Sequence, residues 1–422
     1  MPKYVEILKN RNFVLYNIGQ LVSQFADRLI HLALIGIVYK IAPGSTVQLA
    51  KVLFFTVFPS FLISPIAGVF VDRLNKKKVL IAADIIRSMA VITIPLFFLK
   101  GPSLIPVYSI VFIVFASACF FFPAKLSIIP DLVKKEKLLI SNSFALVSST
   151  MAGIIGFSLG AFLVEYLGIQ KGLYLNSLAY LISAATLSLL SVYKIRSVQK
   201  VSFREVEKDL GNAIKKSFLH DLKEGIIYLF SHRNARFVVG SYFVLMSAVG
   251  SLYVVVVVFV QEITHTMTAS IGFFGMFAFI GFLIGSSLYG KFGHNFGRSK
   301  AIFISFISGG IFVILFAVIL KLTSSYAWGC FIVFLLGVVI SPVATSGNTI
   351  IHETIDENMR GRVFSSIGII MNLGFLIFML LSSFLAERID RMWVIIMCGS
   401  AVSLVGIVGY IVNKKEGFVS LR

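Results

Sequence analysis

Asn17, Gln20, Gln24, Asp27 and His31 follow one another at spacings of three, four, three and four residues in an otherwise apolar stretch. On an α-helix that spacing lays all five along one face. Ser23 and Arg28 flank the stripe. Amides, a carboxylate and an imidazole in such an array can bind a polar group, hold a cation or pass a proton. Inside a membrane the stripe is costly to expose to lipid, so it is expected to face a cavity or a partner. We read it as lining a central pathway, with Asp27 as the proton- or cation-coupled group. Two other readings stay open for that carboxylate: contact with a substrate, and a structural pair with Arg28 or His31.

Asp84 and Arg87, three residues apart, can pair locally or engage a nearby loop, and are expected to form a structural gate. Lys125, near the expected end of its segment, is either a lysine carrying its ammonium to the interface or an anion contact. Ser341, Pro342, Ser346 and Asn348 can break a helix and offer polar groups, and Asn372 is a further cavity candidate; helix packing explains each equally well. Glu165, Glu262, Glu387 and Asp390 fall at segment ends and read as solvated caps. The run His352-Glu353-Thr354-Ile355-Asp356 is one residue from a zinc-hydrolase pattern but falls at a helix end, so neither a metal site nor enzymatic activity is expected. A phosphate-binding glycine loop followed by Lys and Ser/Thr does not occur, which leaves ATP hydrolysis unsupported. Cys119, Cys330 and Cys398 lie in apolar runs without metal-ligand spacing and read as packing residues.

The elements that must carry these groups follow from composition. The chain has 422 residues, 58% hydrophobic and 14% charged, with 41 Phe against 19 Asp and Glu. A soluble domain is nearer half apolar and a quarter charged. Apolar segments recur at about 14–41, 49–71, 79–99, 104–126, 143–165 and 172–193, and again at 237–261, 269–290, 299–320, 326–350, 363–386 and 392–412. Each is long enough for a helix to cross a bilayer core of about 30 Å, which takes about 20 residues. The expected fold is therefore an all-α integral membrane protein of about twelve transmembrane helices.

Basic residues give the expected orientation. With both termini in the cytoplasm, the inner parts hold 28 of the 38 Lys and Arg and the outer loops hold seven. The bias alternates loop by loop, as positive-inside topology requires. The net charge of +19 thus belongs to the inner membrane surface rather than to nucleic acid. The polar lead Met1–Asn12 shows no small-residue cleavage pattern, so no signal peptide is expected.

Two six-helix halves, 1–193 and 237–422, are expected on either side of a cytoplasmic linker, 194–236. In the linker Val206, Leu210, Ile214 and Phe218 alternate with Arg204, Lys208, Lys215, Lys216 and Lys223, which suggests an amphipathic helix on the inner face acting as a tether. The halves echo each other. A Gly-rich helix leads into a basic loop at Gly68–Lys78 and again at Gly285–Lys300, and a charged turn precedes a Ser-bearing helix start at Asp131–Ser143 and Glu353–Ser366. Such duplication is typical of secondary transporters. Gly153, Gly156 and Gly160 in helix five, and Gly272, Gly281, Gly285 and Gly290 in helix eight, are expected at close helix contacts.

The loop after helix two reads Gly68-Val-Phe-Val-Asp72-Arg73-Leu-Asn75-Lys76-Lys77-Lys78. It resembles the cytoplasmic loop motif of the major facilitator superfamily, with Asn75 where that family often has Gly. Phe122-Pro-Ala-Lys125, Ile129-Pro130-Asp131, Phe218-Leu-His-Asp221-Leu-Lys-Glu224-Gly225 and Met359-Arg360-Gly361-Arg362-Val363 are similar to the branch holding macrolide-efflux proteins, the enterobactin exporter and the lysophospholipid transporter. The resemblance implies the two-half major facilitator fold, with Gly68, Asp72, Arg73, Lys76 and Lys77 as a conformational latch. It also implies export of amphiphilic molecules from the bacterial cytoplasm or inner leaflet, driven by a proton or cation gradient with no cofactor, by a monomer in the inner membrane. An acidic residue at Asp27 fits the resemblance, with Ala26 in place of the usual preceding Gly. Helix five departs from the exporters' Gly-Pro-x-x-Gly-Gly, since Phe157 stands in place of Pro. A lipid flippase is the alternative transport reading, and a non-transporting sensor or scaffold is the alternative of another class.

Overall fold

A computed structural model describes residues 7–98, 103–191, 219–293, 297–355 and 359–416. They form thirteen α-helices and one short 3₁₀ turn, and contain no strand. In chain order the helices are α1 (Arg11–Ile41), α2 (Thr46–Arg73), α3 (Lys76–Phe98), α4 (Ile105–Leu132), α5 (Leu138–Leu167), α6 (Ile169–Ser188), α7 (Leu219–Ser231), α8 (Arg233–Thr264), α9 (Ala269–Phe292), α10 (Arg298–Thr323), α11 (Tyr326–Thr354), α12 (Arg360–Ala386) and α13 (Arg391–Glu416).

Local signals set several boundaries. The Asn10 side chain caps α1 by accepting from the Phe13 amide at 3.2 Å. Gly168, at φ +81°, makes the tight turn between α5 and α6 in a backbone region that side chains rarely adopt. Pro123 and Pro130 lie inside α4 without ending it. Proline is tolerated in membrane helices because neighbouring groups satisfy the freed backbone. Consequently α4 runs to Leu132, and Lys125 sits about two turns inside the helix rather than near its end as the sequence suggested.

Eleven of the helices are long and apolar enough to cross a membrane. The twelfth expected span corresponds to α6, whose 20 residues reach about 30 Å at 1.5 Å per residue. Its low apolarity has a structural cause. Asn176 donates to the Ala26 carbonyl at 2.5 Å, Ser183 to the Gly19 carbonyl at 2.8 Å, and Ser177 to the Ser88 carbonyl at 3.1 Å. Its polar groups are thus spent on α1 and α3. Large apolar side chains such as Met89, Leu146, Trp328 and Leu404 are exposed, as expected where the surrounding medium is hydrocarbon.

Contacts divide the chain into two compact units, Met1–Pro43 with Lys51–Phe218, and Gly44–Ala50 with Leu219–Arg422. Within the first, α1 packs on α5 and α6, and α3 on α4 and α6. Within the second, α8 packs on α12, and α10 on α11 and α13. Counted within each set of six, first with fifth, third with fourth, and third with sixth recur. The apolar core of the first unit joins Phe13, Tyr16, Leu80, Phe121, Ile128 and Leu187. That of the second joins Val238, Tyr242, Ile302, Phe306, Val343 and Val363.

Glycines set the closest helix approaches. A Cβ on Gly281 or Gly285 of α9 would overlap the Phe334 or Val338 carbonyl of α11. A Cβ on Gly290 would meet nothing within 4 Å, so that glycine is not a close-contact site, and the same is true of Gly68. Of the expected linker helix, residues 192–218 lie outside the described residues. The stretch beyond is helical as α7, and α8 begins at Arg233, before the expected 237.

Candidate functional site

Arg87, on α3, is fully buried and shared by two carboxylates. Its Nη1 donates to Asp27 Oδ1 on α1 at 2.9 Å, and its Nη2 bonds Asp84 Oδ1 one helical turn back. Nη2 also reaches Ser23 Oγ at 3.2 Å. The guanidinium carbon lies 4.3 Å from the centre of the Phe121 ring and 4.7 Å from that of Tyr180. A buried cation of this kind is held only where counter-charges and donors are all matched.

The two carboxylates differ in surroundings. Asp84 is enclosed at 0% side-chain exposure, with Ser183 donating to Oδ2 at 2.6 Å and Ser23 to Oδ1 at 3.0 Å. Asp27 retains 33% side-chain exposure. Its Oδ1 takes both Arg87 and the Tyr180 hydroxyl, the latter at 2.8 Å. The ion-pair partner of Asp27 is therefore Arg87, not Arg28 or His31.

The polar stripe of α1 splits along its length. Asn17 and Gln20 are buried and bonded to neighbouring backbone: Asn17 to the Phe13 carbonyl at 2.9 Å, Gln20 to the Ala145 carbonyl at 3.3 Å. The Tyr16 hydroxyl bridges Gln20 Oε1 at 3.1 Å and the Lys125 carbonyl at 2.9 Å. Tyr16 and Gln20 thus knit α1 to α4 and α5, while the bond of Asn17 stays within α1. Further along, Gln24 Oε1 accepts from Ser149 Oγ at 2.5 Å, and Lys125 Nζ donates to the same hydroxyl at 3.3 Å. His31 meets the Phe115 ring at 4.9 Å, edge to face, and its Nδ1 is buried without a partner. Arg28 is exposed beside the glycine face of α5.

That face is shaped for α1. A Cβ on Gly156 would lie 3.2 Å from Arg28 Cβ and 3.3 Å from Phe25 Cα, and one on Gly160 would lie 3.1 Å from Leu32 Cδ1. At Gly153 the nearest atom is Arg28 Nε at 3.9 Å. In the second unit Asn348 is exposed and accepts from the Tyr242 hydroxyl at 3.2 Å, while Asn372 is exposed. That unit also holds an apolar cavity of about 400 Å³, lined by Phe243, Ser247, Phe378, Leu385, Met397 and Cys398.

At the loop motif, Lys76 Nζ donates to Asp131 Oδ2 at 3.0 Å and to the Ser127 carbonyl at 2.6 Å, and Lys77 Nζ to the Leu190 carbonyl at 2.8 Å. Arg73 is exposed, and the Asp72 side chain lies outside the described residues. The second unit repeats the first of these pairs. Arg298, at the start of α10, binds Glu353 at the end of α11, and both pairs span 55 residues of sequence. The offset that carries Lys76 to Arg298 carries Asp84 to Phe306 and Arg87 to Gly309. The ion pair at the helix ends is duplicated; the buried charge cluster is not.

Tyr180, Ser183, Phe121 and Ser149 did not emerge as site residues from the sequence. Asn176, Tyr180 and Ser183 do stand at spacings of four and three, a second polar face that pairs with the stripe on α1.

Comparison with known proteins agrees with this architecture. The macrolide efflux protein A of Streptococcus pyogenes is 24% identical over 94% of this chain and 94% of its own. The uncharacterized MFS-type transporter YkuC of Bacillus subtilis is 26% identical over 85% of this chain and 82% of its own. Among solved structures, a bacterial homologue of the iron transporter ferroportin, crystallised in an inward-facing state, superposes with a TM-score of 0.69 at 17% identity, covering 96% of this chain and 99% of that one. The sequence profile of the Major Facilitator Superfamily matches residues 17–294 and again 238–417. With twelve long helices among the described residues in two repeated sets, and that profile spanning residues 17–417, this multi-pass membrane protein belongs to the Major Facilitator Superfamily of transporters.

Proposed function

We propose that the protein exports amphiphilic small molecules across the bacterial inner membrane, with Asp27 as the proton-coupled group. The observation that carries the reading is the contrast between the two carboxylates on Arg87. Asp84 is enclosed and fully bonded, whereas Asp27 is one-third exposed and bonded through one oxygen. A carboxylate that couples transport must reach the pathway and still have a partner to return to. Asp27 has both, and Asp84 keeps Arg87 neutralised if Asp27 takes a proton. Efflux relatives support the direction, and the apolar cavity of the second unit suits a lipophilic moiety. The positive-inside bias supports a cytoplasmic position for both termini. The energy source is an ion gradient, and the working unit is a monomer without a cofactor.

The test is accumulation of lipophilic dyes, macrolides and fluorescent lysolipids in an efflux-deficient bacterium. Wild type is compared with Asp27→Asn at equal membrane expression, with and without an uncoupler. Loss of export with the mutation and with the uncoupler supports the reading. Normal export by Asp27→Asn under a gradient removes Asp27 from coupling. Export of lysolipid that ignores the uncoupler transfers the function to a lipid flippase.

A further inference from the structure

The cluster on Arg87 leaves two cations of the first unit without a carboxylate. Arg28, at the middle of α1, is exposed and has no hydrogen bond or ion pair among the described residues. Lys125 is buried on α4, and among the described residues its ammonium is met by the Ser149 hydroxyl at 3.3 Å and, at 6.0 Å, the Phe122 ring. The two cations lie in each other's electrostatic field, and Lys125 also in that of Asp27. His31 shares the neighbourhood of Arg28 and Asp27, and its buried Nδ1 has no partner.

Two like charges held near one another inside a membrane are unfavourable unless something anionic joins them. Asp27 offsets only part of this: with Asp84 it sets two carboxylates against the three cations Arg87, Arg28 and Lys125, and its Oδ1 is already taken by Arg87 and Tyr180. The place of Arg28 is also built. Its stem lies against Gly156, where an added Cβ would stand 3.2 Å from Arg28 Cβ, and its Nε lies 3.9 Å from where a Cβ on Gly153 would sit, an ordinary contact. Gln24 and Ser149 add polar groups beside Lys125. A planar guanidinium fork and a point-charge ammonium are the pair that recognises carboxylate or phosphate oxygens.

We infer that Arg28 and Lys125 form a subsite for an anionic group, a carboxylate or a phosphate, on the transported molecule. The inference rests on the exporter reading for the word transported; the binding of an anion does not. The substrate class narrows accordingly to amphiphiles bearing an acid, whether a free metabolite or a lipid headgroup.

The test is fluorescence titration of the purified full-length protein in a neutral detergent with three probes: a dansyl-labelled undecanoic acid, its methyl ester, and the matching dansyl-alkyl phosphate. Wild type is expected to bind at least one anion about tenfold tighter than the ester. Tighter binding of the carboxylate points to a metabolite and of the phosphate to a lipid headgroup. Arg28→Gln and Lys125→Gln are each expected to remove most of that preference and leave ester binding unchanged. Arg28→Lys, which keeps the charge without the fork, retains part of it. Equal binding of ester and anions by wild type, or an undiminished preference in the Arg28→Gln/Lys125→Gln double variant, overturns the subsite. Ester binding reports that each variant is folded. The binding needs no gradient, so an intact preference with no gradient-driven efflux of any probe counts against the exporter reading alone.

Discussion

Asp27 and Arg87 meet at 2.9 Å across 60 residues of sequence, and the same guanidinium holds Asp84 on its own helix. One cation thus joins α1 to α3 and is closed in by Tyr180 of α6 and Phe121 of α4. Four of the six helices of the first unit converge on a single side chain. The second unit keeps the same helix pairings but has Phe306 and Gly309 at the positions corresponding to Asp84 and Arg87. The duplicated fold is therefore chemically one-sided.

Removing Arg87 should be the most damaging single change in the first unit. Arg87→Gln leaves Asp84 enclosed without its counter-charge, which costs about 3–5 kcal/mol for a buried pair broken on one side. Adding Asp84→Asn should recover much of the loss, because a neutral amide can still bond Ser23 and Ser183. Thermal unfolding in detergent measures both. A wild-type midpoint for Arg87→Gln would show that the pair does not hold the fold.

Two glycines of α9 should respond oppositely to the same substitution. Gly281→Ala drives a methyl into the Phe334 carbonyl, and overpacking of that kind costs about 1–3 kcal/mol. Gly290→Ala meets open space and should be neutral or stabilising by up to about 1 kcal/mol through helix propensity. The two midpoints, measured in one detergent, decide the matter. Equal shifts would mean that α9 and α11 can separate to admit the methyl.

Much of this was legible in the sequence because lipid imposes long apolar runs and a charge bias, and both are one-dimensional signals. Spans and repeats follow from them. Partners do not. The stripe on α1 reads as one face, but whether Asn17 or Asp27 meets packed backbone or open space depends on where α4 and α5 close over it. Asp27 could not be assigned to Arg87 rather than Arg28, since proximity along the chain favours the neighbour while the helix turns their side chains apart. Lys125 was misplaced because proline ends helices in water and does not do so here. The α6 polar face was legible in spacing, and its role was not, since a serine in a membrane helix bonds its own backbone as readily as a neighbour.

The paired bridges at the helix ends should behave as independent copies of one device. Lys76→Glu and Asp131→Lys should each lower stability, by about 1 kcal/mol for a partly exposed pair. The double swap should restore most of it. Arg298→Glu with Glu353→Arg should do the same in the second unit. Double-mutant cycles by thermal unfolding give the coupling. A swap that fails to restore either pair would show that the partners contribute through backbone contacts, such as that of Lys76 with the Ser127 carbonyl.

Acid should release two surface bridges of the second unit. Lys321, donating to Asp390 at 2.7 Å, holds that carboxyl below its ordinary range, and Arg298 does the same for Glu353. A carboxyl lowered in the folded protein takes up its proton more readily when unfolded. Its contribution is therefore complete above the ordinary carboxylate value of roughly 4, and it is lost as pH falls through and below that value. Both carboxylates are about half exposed, so each pair contributes at most about 1 kcal/mol, less at high salt. The difference in melting temperature between wild type and Asp390→Asn should be small and favour wild type at neutral pH, shrink with added salt, and vanish in acid. A difference unchanged at low pH would mean that Asp390 acts through contacts independent of its charge; its bond to the Met392 amide is not among them, because an asparagine oxygen accepts it as well.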